Sequence, residues 1–458
     1  MLLATVLVVL ALAAAAYVMG QRRALTIAAG AQARLHSRPG YHGLYVALWV
    51  ALAGLATLLV ATVVSRALVD GALLSIIDEA APDMREIERQ LALRDAYAIA
   101  RGGIASSEGE LRQRLGEAAR SYATIRLVAC IALAVGASAV AYGLTFPKLS
   151  TEWRARNRSE AVIRGILWVS ATIAILTTVG IVLSLIGETL VFFNRIDWQI
   201  HKYFFGTTWS PLTGVFEGKM NADKVGAVPL FLGTFMITLV AMLVAVPIGL
   251  FAAIYLSDFA SRSVRAWAKP LLEILAGIPT VVYGFFAAIT VAPFIRDTGE
   301  ALGLDVASES ALAAGVVMGI MIIPFISSLS DDVINSVPQS LRDGSYAVGA
   351  TKGETVRQVV LPAALPGIVS AVLLGISKAV GETMIVTMAA GQGANLAINP
   401  LEAMTTVTVQ IVALITGDTE ADTAAGPAFT LGFTLFVVTL ALNVVALRIV
   451  RRYREMYD

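Results

Sequence analysis

Apolar runs long enough to cross a bilayer recur nine times along this chain. They lie near Leu2–Met19, Tyr45–Val64, Leu127–Phe146, Gly165–Ile186, Pro229–Leu256, Pro270–Ile295, Ala311–Ser328, Ala364–Ala390 and Ala428–Leu447. Each comes close to the roughly 20 residues that a helix needs to span hydrocarbon. The first is read as an anchor and not as a signal peptide, because Arg22 and Arg23 follow the run and no basic residue precedes it. Two polar stretches between runs are sizeable. Ser65–Thr124 has alternating charge at helical spacing, and Ser107 with Glu110 forms a capping-box pattern that would open a helix running into the third span. Val191–Ala227 carries Trp198, Tyr203, Phe204, Phe205 and Trp209, aromatics expected in an interfacial belt.

Composition agrees with the pattern. Of 458 residues, 57% are hydrophobic and 15% charged, against about 45–50% and 25% in soluble domains. The expectation is an all-α polytopic membrane protein in contact with lipid bilayer throughout and with no nucleic-acid partner. Basic residues set the orientation. They cluster at Arg22, Arg23, Arg34 and Arg38, at Lys148, Arg154, Arg156 and Arg158, at Arg262, Arg265 and Lys269, and at Arg448, Arg451, Arg452 and Arg454. The alternate loops are poor in them: Gln392–Pro427 has no Lys or Arg but holds Glu402, Asp418, Glu420 and Asp422, and Arg296–Ser310 has one Arg. Nine spans with the N-terminus outside put every basic loop, and the C-terminus, on the cytoplasmic side. The polar segment 65–124 then lies outside. The character of the chain shifts near Glu160. Residues 1–160 form an extension with three spans, and 161–458 hold six, with Pro247, Pro279 and Pro324 expected as kinks inside three of them. Cys130 is the only cysteine, and His36, His42 and His201 are scattered, so neither a metal site nor a cofactor site is expected, and the histidines are read as surface or interfacial.

Two motifs carry the chemistry. Between the seventh and eighth spans, Asp343-Gly344-Ser345 is followed by Gly349, then ten residues later by Val359 and by Leu361-Pro362. Two short helices bent at Gly349 are expected, with a stop at Pro362 leading into the next span. Tyr346, Val348, Val356, Val359 and Val360 would offer apolar surface to a partner's groove. Gly344–Thr351 nearly spells a phosphate-cradling loop, but Ala350 stands where lysine is needed. Energy must therefore come from a separate subunit. The second motif lies in the eighth span, where Lys378 and Glu382 are four residues apart, predicting one helical face and a separation of about 6 Å along the axis. Charges inside a span cost on the order of 2.5–3.5 kcal/mol and mark functional sites. Lys378 would attract an anion while Glu382 accepts a hydrogen bond from a protonated one.

The glycine-to-Leu-Pro spacing resembles the EAA loop of ABC-importer permeases, with Asp343-Gly344-Ser345 in place of Glu-Ala-Ala and Val359 in place of Ile. GISKAVGETMIVTMAAG (375–391), LEILAGIPTVVYG (272–284), FFGTTWSP (204–211) and VPIGLFAAIYLSDF (246–259) resemble the PstC permeases of phosphate ABC importers, with Lys378 where that family has Arg. The resemblance covers Ile163 to the C-terminus. It implies a six-helix permease core (161–458) coupled through 340–362 to an ATPase dimer. It also implies a PstA-like second permease and a periplasmic phosphate-binding protein, with phosphate as cargo. On this reading Lys378, Glu382 and Thr383 line the path, and Asp343, Gly344, Ser345, Gly349, Leu361 and Pro362 serve coupling. ATP hydrolysis belongs to the partner, and no chemistry on phosphate is expected. A permease for another oxyanion such as molybdate or sulfate, and a secondary anion transporter, stay open as alternatives.

Overall fold

The computed structural model describes residues 2–31, 35–82, 84–103, 109–213, 215, 219–417 and 421–454. Arg34, Ser107, Asp418 and Glu420, used above, lie outside the described residues. Among those described, nine helices have the length and apolar character to cross a membrane. The chain divides into two compact units, Met1–Leu176 and Thr177–Asp458.

In the first unit α1 (Leu2–Ala31) packs on α2 (Pro39–Ala80), which packs in turn on α4 (Glu110–Thr145). Small residues let the first two backbones touch. A Cβ on Gly43 would sit 2.4 Å from the carbonyl oxygen of Tyr17, so only glycine permits this crossing. At 42 residues, α2 is about 60 Å long and overshoots a hydrocarbon layer of about 30 Å. Its far end packs with α3 (Glu86–Ala100) and the start of α4 around Leu73, Ile77, Ala92, Ala96, Leu115 and Ala119. The polar segment therefore has its own small core, with the buried Asp95 paired to Arg112 at 2.9 Å. The α4 helix opens at Glu110 after Gly109, without a side-chain cap. One expectation fails here: His42 is fully buried, because the close α1–α2 crossing encloses it.

The second unit takes in the later part of α5 (Ala155–Arg195). Its centre is the pair α7 (Val228–Ile254) and α11 (Ala311–Ser336), packed through Ile237, Ala241, Val317, Met318 and Ile322. Pro247 and Pro324 lie inside these two helices, as expected. Pro279 does not lie inside one. The predicted sixth span is interrupted: α8 (Arg262–Ala276) stops at Gly277, and α9 (Thr280–Phe286) starts after Pro279, running through a π-turn into α10 (Ala292–Ala301). Proline lacks the N–H that a helix interior needs but is free of that demand just ahead of a first turn. A second correction concerns the aromatics of Val191–Ala227. Trp198, Phe204 and Phe205 are exposed, but Tyr203, in the short α6 (Ile200–Phe205), and Trp209 are core residues. The Tyr203 hydroxyl lies 3.0 Å from Thr434 Oγ1, and Trp209 Nε1 donates to Gln410 at 3.1 Å.

If the α1–α2 crossing depends on backbone contact, Gly43→Val must push the helices apart at a cost of about 1–3 kcal/mol. Thermal unfolding of the purified protein in detergent should show a lowered transition. An unchanged transition would mean that the crossing relaxes freely.

Candidate functional site

The polar elbow forms as two short helices. Helix α12 (Gln339–Ala347) ends before Gly349, whose φ of +90° is left-handed and suits glycine. Thr351 then caps α13 (Lys352–Thr355) in a reciprocal capping box with Glu354. Beyond α13 the chain does not stop at Leu361-Pro362, as the sequence had implied. A π-turn over Val356–Val360 leads without a break into α14 (Leu361–Val380), and Pro362 sits in the first turn of that helix, where its ring is tolerated. The apolar surface is also divided differently. Val356 and Val360 are buried, Val360 against Ala253, Ile334 and Ala364, whereas Tyr346 and Val348 are exposed, Val348 at 86%. Asp343 is exposed and accepts from Gln339 Nε2 at 3.0 Å, Gly344 faces open space, and Ser345 bonds Thr355 at 2.9 Å. Gly344–Ala347 belongs to α12, so the first half of the near-match to a phosphate loop is helix and only the second half is turn.

The elbow is fastened by a residue that sequence reasoning passed over. Arg342 is buried and forms an ion pair with Asp258, in the π-turn that ends α7, while its second nitrogen donates to Ile334 O of α11 at 2.8 Å. One guanidinium thus joins α12 to the ends of α7 and α11. A second group lies nearby. Asp331 of α11 is buried and accepts from Arg265 at 3.0 Å and from Lys269 at 3.0 Å, both on α8, and from Asn335 at 2.8 Å. Lys269 also reaches Asp332 at 2.9 Å, and the two carboxylates hold it above the ordinary lysine range. A polar cavity of about 500 Å³ opens beside the elbow, lined by Asp258, Asn335, Gln339, Arg342, Tyr346 and Lys352.

At the other end of α14 the expected single helical face does not exist. The helix stops at Val380, Gly381 caps it, and a separate short helix α15 (Met384–Ala389) follows. Lys378 lies in the last turn of α14, and Glu382 and Thr383 form the break. Glycine at the C-cap followed by a carboxylate and a hydroxyl is a stop-and-restart signal, one that the run of apolar residues had hidden. The broken backbone is satisfied locally. Glu382 N–H donates to Ala379 O at 3.2 Å, and Glu382 Oε1 accepts from Met384 N at 3.1 Å and Ile385 N at 3.4 Å. Thr408, in α16 (Val407–Thr416), donates to Glu382 O at 2.9 Å. Glu382 is 8% exposed, and its second carboxylate oxygen has no hydrogen-bond partner among the described residues. Lys378 is half-buried with its Nζ 5.2 Å from the centre of the Phe325 ring, and no ion pair joins it to Glu382. The α15 helix packs on α9, where Gly284 lets Met388 and Met384 approach. Helix α16 was itself missed inside an expected loop; at ten residues it is too short to span, yet apolar enough to pack on α17 (Ala421–Arg454).

Lys378, Glu382 and Thr383, expected to line a path, thus lie at one end of α14, and Leu361 and Pro362, expected to serve coupling, lie at the other, 20 residues away, or about 30 Å. This arrangement meets a matching result from known proteins. Residues 245–455 match the family described as the inner membrane component of binding-protein-dependent transport systems, and 6–177 match one described as a phosphate ATP-binding cassette transporter. The second unit thus has the character of a transport permease. The probable ABC transporter permease YqgH of Bacillus subtilis is 32% identical over 62% of this chain and 89% of its own length. The phosphate transport system permease PstC of Xylella fastidiosa (strain Temecula1) is 33% identical over 54% and 77%, and PstC 1 of Mycobacterium tuberculosis is 32% identical over 65% and 94%. The chain belongs to the PstC family of ABC-importer permeases, which are multi-pass inner-membrane subunits and not enzymes themselves.

Removing one partner from a buried ion pair strands the other charge, typically at a cost of about 3–5 kcal/mol. Asp258→Asn and Arg342→Gln should each destabilise the purified protein by that order, and the double variant should lose clearly less than the sum. A double-mutant cycle on thermal or denaturant unfolding measures the coupling, and strict additivity would show that the pair does not hold the elbow.

Proposed function

We propose that this chain forms half of the translocation path of an ATP-driven importer of inorganic phosphate. Its counterpart is a PstA-like permease, an ATPase dimer drives it from the cytoplasm, and a periplasmic phosphate-binding protein delivers the cargo. The observation that carries this reading is the broken span at Gly381–Thr383, with a buried carboxylate at the break and an unpaired lysine in the turn before it. Broken membrane helices are tolerated where they line a cavity, and such breaks hold substrate sites in transporters. Lys378 supplies positive charge for the anion. The free oxygen of Glu382, which accepts hydrogen bonds when ionised, suits the hydroxyl of a protonated phosphate and offers nothing to fully deprotonated sulfate. Thr383 adds a hydroxyl at the same point. The names of the relatives support phosphate as cargo.

The orientation read from the basic loops puts the N-terminus and the segment 65–124 in the periplasm, and the elbow with the C-terminus in the cytoplasm. The domains then divide into an extension near 1–160 and a permease near 161–458. Exposed Tyr346 and Val348 at the elbow, beside its polar cavity, suit a groove on the ATPase. Asp343, Gly344, Ser345 and Gly349 shape that surface. Leu361 and Pro362 begin the helix that carries movement to the break, and Pro247, Pro279 and Pro324 mark where the core helices give.

Two experiments test this. Glu382→Gln keeps an oxygen for the Met384 and Ile385 amides but removes the charge; phosphate uptake into cells or proteoliposomes should drop roughly tenfold, and undiminished uptake would remove Glu382 from the path. Gly349→Pro imposes a φ near −65° where the chain needs +90°. The variant should reach the membrane in normal amounts yet lose phosphate-stimulated ATP hydrolysis by the assembled complex, and retained stimulation would rule out coupling through this turn.

A further inference from the structure

The extramembrane end of the first unit holds a cationic cleft that the transport reading does not use. Arg66 on α2, Arg101 at the C-terminal cap of α3 and Arg126 on α4 line one cavity of about 420 Å³, floored by Tyr97, Ala119 and Ala123. Among the described residues no carboxylate lines it. It adjoins a second cavity of about 700 Å³ that shares Arg66, Tyr97 and Arg101, adds Arg89 and Arg94, and has Asp70 as its one acidic wall residue.

In their pairing these arginines differ from four others of the unit. Arg85 is bonded to Glu88, Arg89 to Asp78, Arg112 to Asp95 and Arg156 to Glu160, at 2.5 to 3.0 Å. In the cleft, Arg101 and Arg126 have no ion-pair partner among the described residues, and Arg66 has only Asp70 at 4.0 Å. Asp70 is already engaged, since it accepts the Tyr97 hydroxyl. Burial and that contact push the Tyr97 phenol up to about 12 even with Arg126 and Arg66 close enough to oppose the shift. The negative end of α3 accounts for one cation, Arg101. Three helices thus converge guanidiniums on one space with Asp70 as the one nearby carboxylate among the described residues, and a bound anion would offset their mutual repulsion.

The position narrows the anion. Arg66 follows the apolar run of α2 by two residues, and Arg126 stands immediately before that of α4. Close by, Val64, Leu68, Ile125 and Val128 are large apolar side chains exposed to the outside of the unit. The cleft therefore lies at the boundary between lipid-facing and polar surface, where phosphoryl headgroups sit. Guanidinium forks match phosphoryl oxygens two at a time. We propose that the Arg66–Arg101–Arg126 cleft is a binding site for a phosphoryl oxyanion. Two sources share that chemistry, the headgroup of an anionic phospholipid and free inorganic phosphate, and the test separates them.

The full-length protein is purified and reconstituted into nanodiscs of phosphatidylcholine alone or with phosphatidylglycerol. The variant R66Q/R101Q/R126Q is compared with R85Q/R114Q/R120Q, which removes three charges elsewhere on the same segment. Native mass spectrometry counts retained phosphatidylglycerol, and titration with inorganic phosphate in the neutral nanodisc follows the thermal transition. If the cleft takes a lipid headgroup, the wild type and the control retain phosphatidylglycerol and the cleft variant binds it at least about tenfold more weakly. If it takes the free anion, phosphate raises the transition of the wild type and the control by more than that of the cleft variant. Lys378 and Glu382 are intact in every protein compared, so a phosphate response from the path would be common to all. As a measurement that needs no variant, phenylglyoxal modification of the wild type, mapped by peptide mass spectrometry, should be slowed at Arg66, Arg101 and Arg126 by the anion that binds. Equal behaviour of both variants towards both anions, or no protection of these arginines, overturns the proposal.

Discussion

A backbone that leaves helical geometry inside hydrocarbon must find partners for its N–H and C=O groups, and that demand shapes this protein more than any other. It explains why the chain is almost wholly helix, and it gives each interruption a meaning. At Gly381–Thr383 the demand is met mainly by a side chain. One oxygen of Glu382 takes the two amides that begin α15, and Thr408 supplies a donor to the Glu382 carbonyl. A carboxylate is a strong acceptor for such amides, so the charge that is costly inside a span also repairs the break. The same residue is therefore structural through one oxygen and available through the other.

The length of α14 sets how movement at the elbow can reach that break. A continuous helix of 20 residues is stiff along its axis, and here it joins the elbow to Lys378 directly. The elbow is not a free lever, because Arg342 ties it to α7 through Asp258 and to α11 through the Ile334 carbonyl. Displacing α12 must then carry these helices along or break a buried ion pair, typically at about 3–5 kcal/mol. Packed helices shift as bodies between discrete arrangements, so a single pair at the base of the core can make several spans answer to one input. The Asp331 cluster gives α8 and α11 a similar bond.

Much of this was legible in the sequence, and what was hidden has physical reasons. Nine apolar runs gave nine helices of spanning character, because in a bilayer length and hydrophobicity nearly determine the outcome. The bend at Gly349 was legible because its geometry needs glycine. The breaks at Gly277–Pro279 and Gly381–Thr383 were not, since the apolar run continues through both and hydropathy cannot see hydrogen bonding. Long-range pairs were invisible for another reason: Asp258 and Arg342 are 84 residues apart, and only the packing of α7 against α11 brings them together. Tyr203 and Trp209 read as an interfacial belt because composition cannot tell which face of a loop folds inward. His42 was misread likewise, buried by a crossing that depends on Gly43.

The break also bears on the lysine at position 378. Were α14 to continue, Lys378 and Glu382 would face each other one turn apart and neutralise one another. Ending the helix at Val380 removes that geometry, and the ammonium rests instead over the Phe325 ring. Such a contact is worth only about 0.5–2 kcal/mol, well below what a buried carboxylate partner would hold. It orients the charge without cancelling it. A guanidinium there would lie flat on the ring and present a fixed fork, whereas an ammonium on four methylenes can leave the ring and follow an anion over a few ångströms. The proposed path needs a charge that attracts its cargo and then lets it go, and a cation resting on a ring suits both requirements.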